Sequence, residues 1–185
     1  MADRSYIIRN YSSDDFAAYV QLHAESENLE PSGRFISAKG LSDNLGRPNF
    51  RPETELFVAE SSGKLVGCLS VNLEPEIQRA LLDGLVHPLH RRAGIATELF
   101  SKGLQQVRKS GIKSAQVSVL ETNAAARGLL NRLSFKFIRH FLEMRLYITA
   151  LRLPSARQDP TTSRRLKNGE EALLTEIQKR CFADT

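Results

Sequence analysis

The stretch V-H-P-L-H-R-R-A-G-I-A-T-E-L-F, Val86 to Phe100, constrains the fold more than any other part of this chain. An apolar strand runs into a basic, glycine-containing turn, and an amphipathic helix begins at once. A helix start carries backbone N–H groups that have no partner within the helix, and the positive end of the helix dipole lies there too. Such a turn gathers donors at one point in space and suits a phosphate. Arg91 and Arg92 add positive side chains, and guanidinium groups match phosphate geometry well. The stretch therefore implies a phosphorylated ligand held between a strand and the helix after it.

The flanking segments supply a sheet for that strand. Tyr6 to Asn10 reads as a short first strand. Ser12, Ser13, Asp14 and Asp15 offer N-caps to a helix with Phe16, Tyr19, Val20 and His23 near one face, and Pro31 and Gly33 break it. A second helix covers Ser37 to Leu45 and closes at Gly46, while the polar Arg47 to Thr54 stretch reads as loop. Strands come next at Leu56 to Glu60, Leu65 to Leu73 and Ala80 to Val86, the first pair joined by Ser62-Gly63-Lys64. This is an antiparallel meander. Gly67 and Gly84 lie inside strands, where each suggests a bulge or a close approach by another group.

Beyond the turn, a helix from Ile95 to about Lys109 buries Leu99, Phe100, Leu104 and Val107, and Gly111 ends it as a C-cap. Ser114 to Leu120 alternates as a strand, Asn123 to Leu133 is helical with Ala126, Leu129, Leu130 and Leu133 on one side, and Phe135 to Ile148 is strand-like. The fold class is α/β (α+β): a mixed, mostly antiparallel sheet with helices on both faces. Residues 1–150 form this domain. Residues 151–168, which include two prolines between Pro154 and Arg165, read as a linker. Residues 169–185 read as a further amphipathic helix with Ala172, Leu173, Ile177 and Cys181 toward a partner. That helix either packs back on the domain or opens a second one.

Composition narrows the function. The chain has 185 residues, 41% hydrophobic and 25% charged, which is globular and enough for one ordinary domain with an extension. No apolar run approaches membrane-spanning length, and M-A-D-R-S lacks the apolar core of a secretory signal. Cys68 and Cys181 make no disulfide framework, so a reducing, cytoplasmic setting is expected. The net charge of +5 is spread out, without zinc-finger spacing, aromatic platform or long basic helix, so neither nucleic acid nor membrane is expected as a partner. Four histidines without a cysteine cluster give no metal site. The turn also lacks the G-x-x-x-x-G-K-[ST] run of a nucleotide-triphosphate loop and the three-glycine dinucleotide fingerprint.

The turn and the segments downstream of it resemble the GNAT superfamily of N-acetyltransferases. The cofactor motif of that superfamily runs Arg or Gln, two residues, Gly, one residue, then Gly or Ala. Here it reads Arg91-Arg92-Ala93-Gly94-Ile95-Ala96, preceded by Val86 and Pro88 and followed by Leu99. Farther on, members show Asn, two residues, Ala, an aliphatic pair ending in Tyr, and a closing Gly-Phe. This chain has Asn123, Ala126, Leu129, Leu130, Leu133, Ser134 and Phe135, with Leu130 at the tyrosine and Ser134 at the glycine. The resemblance covers residues 6 to 148. It implies the acyl-CoA N-acyltransferase fold, acetyl-CoA as cofactor, and acetyl transfer to an amine of a small molecule or peptide. The run from Glu170 looks like the first helix of another such domain, as Asp14 to Ser26 is here. Tandem members, mycothiol-synthase-like proteins among them, are built this way. The chain is thus read as the N-terminal half of a two-domain protein, with a homodimer as the other arrangement.

The resemblance also assigns roles. The pyrophosphate would rest on N–H groups from Arg92 through Ala96, with Ala93, Gly94 and Ile95 between them and with Arg91 and Arg92 engaging phosphates from the side. Gly94 would let the backbone approach closely, and Ala96 would keep the helix start uncrowded. The pantetheine arm would lie along Gly84 to Val86, and a backbone N–H near Leu85 or Val86 would polarise the acetyl carbonyl. Asn123 would contact the pantetheine, cap its own helix, or do both. Asp83, interrupting A-L-L-D-G-L-V, is the candidate base; its other reading is a structural hydrogen bond to the preceding loop. Glu60 and Glu74 are weaker alternatives. Leu130 has no proton to give a leaving thiolate, which turns attention to Tyr19, Tyr147 and His140. Loss of that group also fits a half that binds CoA without catalysing transfer. Glu25, Glu27 and Glu30 either greet a cationic amine or form a solvated helix face.

Overall fold

The computed structural model describes residues 6–33, 35–144, 146–150 and 164–181. The chain divides into two units, Met1–Phe137 and Ile138–Thr185. The first contains β1 (Ile7–Asn10), α1 (Phe16–Leu29), α2 (Ala38–Leu45), α3 (Pro52–Glu55), β2 (Leu56–Ser61), β3 (Lys64–Glu74), β4 (Arg79–Val86), α4 (Ile95–Lys109), β5 (Ser114–Val117) and α5 (Ala124–Arg132). The strands form one five-stranded sheet in the order β1-β2-β3-β4-β5. Neighbours are antiparallel except β4 and β5, which are parallel. A parallel pair needs a crossover, and α4 supplies it. The β2–β3 hairpin turns at Ser62 and Gly63, both left-handed (φ 50° and 75°), the geometry whose twist suits a tight hairpin.

Helices cover both faces, as the sequence pattern requires. On one face Leu69, Val71, Ala80 and Leu82 of the sheet bury against Leu99, Phe100 and Val107 of α4, together with Leu129 and Leu130 of α5. On the other, Tyr19 and Leu22 of α1 and Leu41 of α2 bury against Leu56, Val58 and Cys68. Residues 82 and 68 therefore belong to opposite faces, following the period of two in a strand. The helix α4 lies close to the sheet because Gly103 has no side chain: a Cβ there would come within 2.5 Å of Leu69 Cδ2. Gly67 marks a bulge, since the β2–β3 register shifts between Ala59 and Glu60. Gly84 keeps its register and instead allows a close approach, a Cβ there lying 3.0 Å from Leu69 Cδ1.

Three expectations need correction. The Arg47 to Thr54 loop runs into helix α3, which starts at Pro52 and is held by Glu55, whose carboxylate accepts from the Arg51 N–H at 2.8 Å. Proline at a first helical position starts a helix rather than breaking one. The strand expected over Ser114 to Leu120 ends at Val117. No strand forms over Phe135 to Ile148 among the described residues; Ile148–Ala150 is a single 3-10 turn. Alternation makes a segment competent to pair, but a strand exists only where a neighbour completes the ladder. Phe137 and Phe141 are each 72% exposed.

The second unit contains α6 (Glu171–Cys181), preceded by Glu170, whose carboxylate accepts from the Lys167 N–H at 2.9 Å and from Arg164 at 2.8 Å. Its Leu173, Leu174 and Ile177 are exposed. Residues 151–163 of the expected linker and Phe182 lie outside the described residues. No described helix is long and apolar enough to cross a membrane, and the described residues contain no metal-binding cluster.

Candidate active site

The turn between β4 and α4 has the backbone that an anion cradle needs. After His87, a single 3-10 turn spans Pro88–His90, and Arg92 (φ 67°) and Gly94 (φ 88°) both adopt the left-handed conformation. Non-glycine residues adopt that conformation at a cost, and such positions concentrate at binding sites. Gly94 is the residue before the first turn of α4, and no side chain caps that end of the helix. Arg91, Arg92, Ala93 and Gly94 are exposed, while Ile95 anchors the helix in the core. The donors of the first turn thus face solvent above a buried anchor. Tyr6 forms a wall beside them: a Cβ on Gly94 would lie 3.3 Å from its hydroxyl, which donates to Glu98 at 3.2 Å.

The two arginines differ. Arg91 Nε donates to the Val86 carbonyl at 3.2 Å, and Nη1 donates to Glu30 at 2.7 Å. Glu30 caps the C-terminal end of α1, so this pair ties the turn to that helix. Arg92 is exposed. The remaining acids of α1 are also engaged locally, Glu27 by Ser32 and Gly33 and Glu25 by Gln21, with His87 Nε2 3.5 Å from Glu25.

Next to the turn the sheet opens. The β4–β5 ladder runs from Arg79↔Ser114 to Leu82↔Val117 and stops. On its other side β4 stays paired to β3 as far as Val86↔Gly67. The edge of Asp83, Gly84, Leu85 and Val86 that looks toward β5 therefore has no ladder, and it leads directly into the turn. A sheet edge of this kind accepts an extended ligand as an added strand. Asn123 caps α5, its Oδ1 accepting from the Ala126 N–H at 3.0 Å, so the capping role is filled.

Asp83 points to the other face, with its neighbour Ser70 across the β3–β4 ladder. Both line a hollow open to solvent, with Tyr19 and His23 of α1, Leu41 of α2, and Arg47 and Phe50 of the following loop. The Asp83 carboxylate has no hydrogen bond or ion pair among the described residues. Glu60 and Glu74 do not share this freedom, being paired with Arg9 and Arg79. Around Asp83 burial holds three titratable groups toward their neutral forms, while Arg47 brings a positive charge to the same hollow. Burial pushes the Tyr19 hydroxyl above the usual phenol range, and the nearby Asp83 carboxylate adds to it. Burial pushes the Cys68 thiol up to about 12, with Asp83 adding to it. Burial holds His23 below the usual imidazole value, partly opposed by Asp83. His23 stacks edge-on against Tyr19 at 4.7 Å, and its Nε2 is buried without a partner.

Of the proton-bearing alternatives, Tyr19 is in this hollow, whereas Tyr147 is an exposed residue of the second unit. Leu130 is buried in the core beside Leu129 and is not among the residues that line the hollow. Sequence reasoning gave no role to Tyr6, counted Arg47 only as part of a loop expected to help set the acceptor, and read His23 only as part of an apolar face.

A model of the Acetyltransferase (GNAT) family matches residues 8–135. A mycothiol acetyltransferase of Streptomyces bingchenggensis (strain BCW-1) is 27% identical over 124 residues, 66% of this chain and 40% of that protein, so the chain spans well under half the length of this relative. A putative acetyltransferase of Salmonella typhimurium, solved with its cofactor acetyl-CoA, superposes with a TM-score of 0.55 at 20% identity, covering 71% of this chain and 80% of that one. An N-acetyltransferase of Thermoplasma acidophilum in complex with coenzyme A superposes with a TM-score of 0.58 at 17% identity, covering 71% and 90%. At these identities the structural likeness establishes the fold.

Proposed function

The chain belongs to the GNAT acetyltransferase family, and from that premise we propose that it transfers an acetyl group from acetyl-CoA to the amine of a small molecule or peptide. One observation carries the reading. The unpaired β4 edge from Asp83 to Val86 connects the exposed helix start at Gly94 to an unengaged carboxylate at Asp83. Bound acetyl-CoA would supply an activated thioester. The N–H groups from Arg92 through Ala96 hold its pyrophosphate, with Arg91 and Arg92 at the side. The Asp83–Val86 edge orients the pantetheine arm, and the Leu85 or Val86 N–H draws charge toward the acetyl oxygen. Asn123 contacts the pantetheine in this reading, besides capping α5. Asp83 takes a proton from the acceptor ammonium, directly or through water. A C–N bond forms, the C–S bond breaks, and a second proton passes from the nitrogen to the departing thiolate.

The buried position of Leu130 supports a second reading, in which this domain binds CoA as the weakly active or inactive half of a tandem protein. Under either reading the turn holds the cofactor, the partner of α6 is a second GNAT domain or another copy of the chain, and the working compartment is cytoplasmic. Calorimetric titration with acetyl-CoA tests the shared part, and thiol release across an amine panel separates the two. Asp83→Asn is expected to lower turnover while leaving acetyl-CoA affinity nearly intact. A rate unchanged across pH would remove Asp83 from the chemistry, and binding without turnover on any amine would leave the second reading standing.

A further inference from the structure

The hollow beside Asp83 holds two opposite charges that are not paired with each other. The Asp83 carboxylate is unengaged, and Arg47 is clamped by other groups: Nε donates to the Asn44 carbonyl at 3.0 Å, Nη2 donates to Asn72 Oδ1 at 3.1 Å, and the Phe50 ring lies 5.6 Å from the guanidinium carbon. That clamp fixes the guanidinium plane and leaves Nη1 without an acceptor among the described residues. In the same hollow the buried His23 Nε2 has no partner. A buried polar atom without a hydrogen bond is unfavourable, and at a binding site it marks a place a ligand fills. The rest of the lining combines the polar Tyr19, Asn44 and Ser70 with an apolar part to which Leu41 and Phe50 belong.

We propose that this hollow, taken as the acceptor site of the reading above, selects a small zwitterion: an α-amino acid with an apolar side chain. Its ammonium meets Asp83, its carboxylate meets Arg47, His23 Nε2 completes the hydrogen bonding, and its side chain lies against Leu41 and Phe50. A plain amine leaves the arginine unanswered, and a plain acid brings its charge to Asp83. Acetylation cancels the ammonium charge, so the product loses the attraction to Asp83 and leaves more readily than the substrate.

The test uses the full chain and three probes: L-leucine, its decarboxylated analogue 3-methylbutylamine, and its deaminated analogue 4-methylpentanoate. Binding is read by calorimetry and by ligand-observed NMR, and transfer by thiol release from acetyl-CoA. L-leucine is expected to bind at least tenfold more tightly than either analogue and to exceed the amine tenfold in kcat/KM. In Arg47→Gln the difference between leucine and the amine should fall within twofold. Equal binding of all three, no binding of any, or a preference that survives Arg47→Gln overturns the inference. Leucine binding without acetyl-CoA binding would sink the transfer reading and leave a zwitterion site; acetyl-CoA binding without leucine binding would sink this inference alone.

Discussion

Gly94 and Gly111 stand at opposite ends of α4, both left-handed (φ 88° and 74°), and differ in what surrounds them. A Cβ on Gly111 meets nothing within 4 Å, whereas one on Gly94 lies 3.3 Å from the Tyr6 hydroxyl. The left-handed conformation costs an L-residue about 1–2 kcal/mol, so Gly94→Ala and Gly111→Ala should each lose about that much stability. For a domain of this size that is a fall of about 3–8 °C in Tm. Affinity should separate them. At Gly94, relief of strain rotates the peptide planes that aim the α4 donors, and a hydrogen bond to a charged group contributes about 1.5–3 kcal/mol. Losing one weakens acetyl-CoA binding roughly ten- to hundredfold. Gly111→Ala should stay within twofold of the parent. Thermal unfolding and calorimetry on the two variants check both numbers. Equal affinities in the two variants would refute the assignment of Gly94 to the cofactor cradle, because backbone strain would then be the whole effect.

Other perturbations probe separate parts of the site. Glu30 holds Arg91 at 2.7 Å on the surface, and such pairs contribute about 0–1 kcal/mol; Glu30→Gln should free the arginine and strengthen acetyl-CoA binding up to about fivefold, while Arg91→Gln should weaken it, both read by calorimetry. His23 is held neutral by burial, below its ordinary value of 6.5. Below pH 6.5 the unfolded chain binds a proton there that the folded chain refuses, so stability falls as pH drops from 6.5 toward the folded-state value; denaturant unfolding from pH 7.5 to 5 should show that slope, flattened in His23→Phe. Placing a phenol where the family resemblance expects one, with Leu130→Tyr, should not speed transfer. That side chain is buried in the α4–α5 core, where overpacking costs about 1–3 kcal/mol, so the variant should melt earlier with no gain in rate.

What could be read from the sequence was whatever short-range chemistry specifies. The turn at Arg91 to Ala96 was legible because a strand, a basic turn with glycine and a helix start lie within fifteen residues and need no partner to take shape. Asn123 was legible as a cap for the same reason. The Pro52 helix start was also available, since proline followed by Glu53 and Glu55 is an opening signal, but the neighbouring Pro48 made the stretch look like loop. Phe135 to Ile148 misled because alternation reports competence to pair and says nothing of whether an edge is taken. The hollow was legible only in outline. His23 is on α1, Arg47 comes after α2 and Asp83 is on β4, so their meeting depends on how two helices lie on the sheet, which no local pattern records.

The site depends on β4 serving three directions at once. Ala80 and Leu82 bury against α4, Asp83 and Leu85 turn to the α1 side, and beyond Leu82 the backbone edge toward β5 is released. Each use limits the others. A slip of one residue in the β3–β4 register would send Asp83 into the α4 core and Leu82 toward the hollow. The register cannot slip cheaply, because Gly84 must stay opposite Leu69, where any side chain would meet Leu69 Cδ1 at 3.0 Å. The release of the edge has a matching cause, since β5 ends at Val117 while β4 continues on the β3 side to Val86. The packing that stabilises the sheet thus fixes which face carries the Asp83 hollow and which edge is left unpaired beside the turn, the two places proposed for acceptor and cofactor. A substitution at Gly84 should accordingly disturb stability, acceptor recognition and cofactor binding together, whereas changes at Arg47 and Gly94 should separate them.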